Sequence, residues 1–188
     1  KRLEIDTVRT FIKDKLDVTD KDIDLLESAG GMTNKNYKVI LNGQSFIVRI
    51  AGNGTDRFID RTAEKENSTI AQILGLDVET TYFDAETGTK ISQFITGAET
   101  LNPVTAAYPK NMELTTNLLR KLHHSGLEFS NEFNVFREIE KYEHLADEMA
   151  ATYYEGYQVL RPLVLSLEKD LLKMGIEKKP CHIDTVPE

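Results

Sequence analysis

The sequence predicts an α+β protein in which an antiparallel sheet comes first and a mostly helical part follows. Two observations carry this. Tyr37, Val39 and Leu41 alternate with polar or outward positions, and Phe46, Val48 and Ile50 do the same after Asn42-Gly43, the strongest short signal for a type I′ hairpin. Beyond about residue 97 the strand signals stop, and leucines recur at helical spacing instead. The change of texture places a boundary within residues 95–110.

In chain order, Leu3, Val8, Phe11, Ile12 and Leu16 predict an N-terminal helix, with Thr19 to Asp22 capping a further turn. Ile23 to Ser28 reads as a strand that runs into Ala29-Gly30-Gly31-Met32-Thr33-Asn34, and the hairpin follows. Gly52 to Thr55 is a turn, and Asp60 caps a helix whose stripe is Ile59, Ala63, Ile70, Ile73 and Leu74, ended by Gly75. Val78 to Asp84 and Lys90 to Ile95 read as two more strands. Three further helices are expected: one around Leu114, Leu118, Leu119 and Leu122, one around Phe133, Phe136, Ile139, Tyr142 and Leu145, and one over Leu160 to Met174 closed by Gly175.

Several of these positions carry chemistry. Gly30 and Gly31 let the backbone turn tightly and bring N–H groups close to an anion, while Thr33 and Asn34 add side-chain donors. Arg49 lies one hairpin away, on the face opposite Val48. Glu64 and Glu66 both lie on the helix after Asp60, and periodicity puts Glu66 nearer the apolar stripe. The extended segment Gln93-Phe94-Ile95 leads to Gly97 and offers a carbonyl and an N–H of the kind an adenine edge requires. His182 stands two residues before Asp184 after an apolar helix. This is the first half of a kinase catalytic loop, in which the Asp accepts the proton of the attacking hydroxyl and an Asn five positions later holds magnesium.

Bulk properties bound the rest. A net charge of −8 argues against nucleic acid, and no apolar run is long enough to cross a bilayer. The Lys1-Arg2 start leads into Glu4 and Asp6, so no secretion signal is read there. One cysteine permits no internal disulfide and fits a reducing cytoplasm. Tyr153, Tyr154 and Tyr157 suggest either core packing or the wall of a cation site. His123 reads as a structural histidine able to brace the 181–188 loop.

Together these residues resemble the choline and ethanolamine kinase branch of the aminoglycoside phosphotransferase-like kinases, particularly the bacterial choline kinases. The resemblance rests on Gly30 to Val39, Phe46 to Ile50, Asp60-Arg61 with Glu64 and Asn67, Ile91 to Gly97, Leu119 to Gly126, and Cys181 to Glu188. It runs in order from about residue 24 to the end. It implies a protein-kinase-like bilobal fold. Residues 1–96 would be a nucleotide-binding lobe with its hinge at about 93–97, and residues 97–188 the first part of a helical lobe. It also implies ATP and Mg2+ as cofactors. Gly30, Gly31, Met32, Thr33 and Asn34 would cover the phosphates, Arg49 would stand where protein kinases use a Lys, and Glu64 rather than Glu66 would be its partner. Gln93, Phe94 and Ile95 would line the adenine, Asp184 would be the base, and His182 would brace its loop. Family members often carry Asn where this chain has Ile183.

The function these features imply is transfer of the ATP γ-phosphoryl group to the hydroxyl of choline or a similar amino alcohol in the cytoplasm. The same fold acting on an aminoglycoside or sugar is a second reading. A third is a non-catalytic fragment or pseudokinase that binds nucleotide or a partner. The chain stops at Glu188, one residue before the expected Asn, and is read as truncated after the first part of the catalytic loop and inactive alone.

Overall fold

In the computed structural model, residues 2–31 and 33–186 are described. Two units are distinguished by their contacts: residues 1–130 with 180–188, and residues 131–179.

The first unit opens with α1 (Arg2–Leu16). Its apolar residues Ile5, Val8, Ile12 and Leu16 recur at three- and four-residue steps, so they share one face. That face lies on a sheet of five antiparallel strands: β1 (Ile23–Gly30), β2 (Lys35–Leu41), β3 (Gln44–Ile50), β4 (Thr80–Phe83) and β5 (Lys90–Gln93). Their spatial order is β1-β2-β3-β5-β4. The core holds Val8, Ile12, Tyr37, Val39, Leu41, Val48 and Ile91. Tyr37 pairs with Val48, and Val48 with Ile91, so these three form one row beneath the helix. Ile12, Val39, Val48 and Ile91 are fully buried, each contributing roughly 1.5–3 kcal/mol of apolar burial.

The hairpin turn forms as its sequence predicts. Asn42 has φ +47° and Gly43 +79°, the left-handed pair a type I′ turn requires. It is anchored from β1, where the Asp24 carboxylate accepts from the Gly43 N–H at 2.9 Å. Because Val48 faces α1, its neighbour Arg49 faces the other side of the sheet.

On that other side is α2 (Arg61–Ile73). The Asp60 side chain caps it, accepting from the Thr62 and Ala63 amides at 3.0 Å each. Leu74 is its C-cap and Gly75, at φ +67°, turns the chain out. The two strands that follow are shorter than Val78–Asp84 and Lys90–Ile95. The Asp84 amide is already donated to Thr89 O at 2.9 Å within the turn, and after Gln93 one further amide, that of Phe94, reaches β3 at Ser45 O. Beyond the sheet come α3 (Pro103–Ala106) and α4 (Pro109–His123), of which Leu122 is buried while Leu114 and Leu118 are exposed.

The second unit holds α5 (Val135–Glu148) and α6 (Tyr157–Lys173). Phe133 lies before α5 rather than within it, since the Asn134 side chain caps the helix by accepting from the Phe136 and Arg137 amides. Glu168 of α6 binds Arg137 of α5 at 2.8 Å. Tyr153 and Tyr157 stack at 4.8 Å, with their hydroxyls on Asp147 and Glu143, and Tyr154 is 92% exposed. Two rings stacked on each other leave no gap for a cation between them, so the three tyrosines form no aromatic box.

Candidate phosphate and nucleotide site

Strand register brings the glycine turn and Arg49 into line. Gly30 pairs with Asn36, Asn36 with Arg49, and Arg49 with Lys90, so one row crosses four strands. Gly30 and Arg49 are therefore two strand spacings apart, about 10 Å. Gly30 and Gly31 have φ +83° and +124°, in the region glycine alone enters freely. A Cβ on Gly31 would lie 2.1 Å from Asn34 O, whereas one on Gly30 would meet nothing within 4 Å. The turn is closed on its inner side and open at Gly30, which suits close approach of an anion to backbone. Met32 lies outside the described residues. Thr33 is exposed, while the Asn34 side-chain carbonyl accepts from the Gly52 N–H at 3.3 Å.

Arg49 is four-fifths buried and held at several atoms. Its Nη1 meets Glu64 Oε1 at 2.5 Å, and its Nη2 donates to Gly88 O at 3.0 Å. Its guanidinium carbon stands 5.6 Å from the centre of the Phe83 ring. Among the described residues, Arg49 Nε is the buried side-chain polar atom left without a hydrogen-bond partner. Glu66, which helical periodicity favoured, faces elsewhere: the Ser130 hydroxyl binds its carboxylate. Periodicity misjudged the helix because the inward side of its first turn carries the charged Arg61 and Glu64 beside the small Ala63.

Arg61, to which the sequence pattern assigns no role, is 6% exposed. Its Nη1 donates to Glu64 Oε2 at 2.6 Å and its Nη2 to the Thr55 hydroxyl at 2.5 Å. Lys90, the other cation of the register row, is spent on Asp77 and Ser68 at 3.1 and 3.0 Å. That leaves Arg49 and Arg61 sharing one carboxylate, with a net positive charge beneath the glycine turn. An Arg three residues before a Glu at a helix start was the available signal for Arg61.

In the segment after β5, the Gln93 and Phe94 amides are donated to Glu79 O and Ser45 O, each at 3.0 Å. The Ile95 N–H has no partner among the described residues, so it is the donor this segment can offer a ligand. His182, Ile183 and Asp184 lie exposed in the same unit as Arg49. Among the described residues the side chains of His182, Asp184 and His123 make no hydrogen bond, and the brace expected from His123 is not formed. Ile183 has φ +73°, a conformation in which a β-branched residue is strained and Asn is tolerated. No group of three or more His, Cys, Asp or Glu side chains is placed to hold a metal among the described residues.

An antiparallel five-stranded sheet whose third strand carries an arginine paired to a glutamate on the following helix defines a kinase-like fold. No protein-family model matches the chain. The LicA protein of Haemophilus influenzae is 31% identical over 161 residues, 86% of this chain and 48% of that protein. The crystal structure of choline kinase LicA from Streptococcus pneumoniae superposes with a TM-score of 0.82 at 36% identity, covering 100% of this chain and 63% of that one. LicA in complex with AMP gives 0.78 at 37% identity, covering 95% and 62%. The chain is similar to these choline kinases over nearly its whole length and shares their kinase-like fold, and it spans about half the length of the curated relative it matches.

Proposed function

We propose that the chain forms the nucleotide side of an ATP-dependent phosphotransferase that phosphorylates the hydroxyl of choline or ethanolamine, giving phosphocholine in the first case. The observation that carries this is the Arg49–Glu64 pair, set in one register row with the Gly30 turn. Anions are held by guanidinium groups and by backbone N–H groups at glycine turns, and the buried Arg49 and the positive φ of Gly30 and Gly31 support that reading. The residues thus suit a triphosphate. ATP supplies the phosphoryl group. Arg49 and the amides of the Gly30–Asn34 turn hold phosphate oxygens, and the Ile95 N–H with a neighbouring carbonyl of Gln93 or Phe94 takes the adenine edge.

Asp184 accepts the proton of the substrate hydroxyl as its oxygen bonds to the γ-phosphorus and the bond to the ADP oxygen breaks. His182 is assigned to hold that loop. Magnesium, when bound, would neutralise the charge that develops on the transferred phosphoryl group, and no cluster of three or more His, Cys, Asp or Glu that could hold it is formed among the described residues. Residues 1–96 act as the nucleotide lobe, with the hinge at about 93–97, and 97–188 as part of the helical lobe. A cytoplasmic setting is proposed on the single exposed thiol of Cys181; separately, no helix is long and apolar enough to cross a membrane.

In the full-length protein, Asp184→Asn should cut turnover roughly 100-fold or more while ATP binding is retained. A variant that keeps most of its rate would show that Asp184 is not the base. Phosphorus NMR of products from choline, ethanolamine, an aminoglycoside and a sugar identifies the substrate, and phosphorylation of only the last two would overturn the amino-alcohol assignment.

A further inference from the structure

We infer that Arg61 is a positioning residue: it aims Arg49 through Glu64 and ties that pair to the glycine turn. The inference rests on the nucleotide reading of the site. Each carboxylate oxygen of Glu64 takes one guanidinium, Oε1 from Arg49 and Oε2 from Arg61. The carboxylate plane is thereby set from both sides. Without Arg61, Glu64 would be free to turn about its side-chain torsions, and the fork of Arg49 would turn with it.

Arg61 is itself held at the other end. Its Nη2 binds the Thr55 hydroxyl, which donates to Gly52 O at 2.7 Å. Gly52 in turn donates to the Asn34 side chain and packs so closely on Thr33 O that a Cβ there would stand 2.2 Å away. A continuous chain of contacts therefore runs from the glycine turn through Gly52, Thr55, Arg61 and Glu64 to Arg49. The same guanidinium lies against Gly88, whose carbonyl accepts from Arg49. A lysine at 61 would be a single point charge unable to reach both Glu64 and Thr55. The arrangement calls for a guanidinium.

The test uses the full-length protein with Arg61→Lys, Arg61→Gln, Arg49→Gln and the double variant Arg49→Gln/Arg61→Gln. Either Arg61 variant should raise the KM for ATP about tenfold or more, as loss of a charge-assisted hydrogen bond does, with the KM for choline within about twofold. The Arg61 effect should vanish in the Arg49→Gln background, because it acts through Arg49. Unchanged ATP affinity, or additive effects in the double variant, would overturn the inference. Should both Arg61 variants fail to fold, Thr55→Val, which removes only the second anchor, is taken through the same cycle. A ligand-free readout separates this from the functional reading. In NMR of the wild type the Arg49 Nη nitrogens should be distinct, and they should merge when Arg61 is replaced. A wild type that binds no ATP refutes the nucleotide reading, while the Arg49 spectrum still decides whether Arg61 positions it.

Discussion

Gly88 and Arg61 are packed so closely that a methyl group on Gly88 would lie 2.7 Å from Arg61 Nε and 2.8 Å from Cζ. Gly88 also has φ +71°, so any side chain there is strained in backbone as well as crowded. The turn that presents it is firmly tied. The Thr87 hydroxyl donates to Asp84 at 2.7 Å and, with the Glu86 amide, holds the Asp84 carboxyl below its usual range.

Gly88→Ala is therefore expected to cost about 2 kcal/mol, combining left-handed strain with displacement of a buried guanidinium. The thermal midpoint should fall, and the ATP KM should rise because Arg49 loses its carbonyl anchor. Thermal unfolding and initial-rate kinetics on one preparation measure both.

Glu64 and Glu66, two residues apart on α2, should behave differently. Glu64→Gln leaves two close guanidinium groups sharing a neutral amide. The cost should be about 2 kcal/mol, less than the roughly 3–5 kcal/mol of a fully buried pair because the site is part-exposed. ATP affinity should fall with it. Glu66→Gln touches only an exposed contact with Ser130, so stability should change by less than about 0.5 kcal/mol and the ATP KM not at all. Equal effects of the two would show that the Arg49 pair has no part in nucleotide binding.

Ile183 stands between His182 and Asp184 with a positive φ and a side chain 58% exposed, so replacing it sacrifices little packing. Ile183→Asn should raise stability by about 1 kcal/mol by relieving left-handed strain, while Ile183→Val, equally branched, should gain nothing. Denaturant titration of the three proteins decides it.

The Tyr153 phenol is pushed up to about 12, chiefly by its hydrogen bond to the Asp147 carboxylate, with desolvation adding to it. In the unfolded chain it ionises near pH ~10. Its contribution to stability is thus complete below about pH 10 and is lost as the pH rises toward 12. Ultraviolet titration of phenolate should show a late tyrosine that Tyr153→Phe removes. The Glu143 carboxyl is held below its usual range by the Arg161 guanidinium, so its share is present at neutral pH and is lost in acid.

Much of the sheet was legible because its signals are local. Asn42-Gly43 names its own turn type, and the alternation on either side assigns faces without further help. The Asp60 cap is likewise a matter of adjacent residues. The surroundings of Arg49 were less accessible. Periodicity looks for an apolar stripe, and α2 turns a charged side inward because what it meets there is another charge. Thr55, Arg61 and Gly88 converge through two turns well apart in the chain, and no local pattern marks such a meeting. The pairing of Lys90 with Asp77, 13 residues away, likewise carries no local mark. Strand β4 stops at Phe83 because the next amide, that of Asp84, is taken by Thr89 O in the turn.

The two-residue turn at Asn42 and Gly43 has an influence well beyond its place at the sheet's edge. It sets the parity of the hairpin, since residue pairing in β2 and β3 is counted outward from it. An insertion of one residue there would exchange the inward and outward sets along β3. Val48 would be carried to the charged side and Arg49 under α1, among Ile12, Val39 and Ile91. A lengthened bend seven positions upstream would thus disable the guanidinium as completely as deleting it, while every residue of the site stayed in place in the sequence.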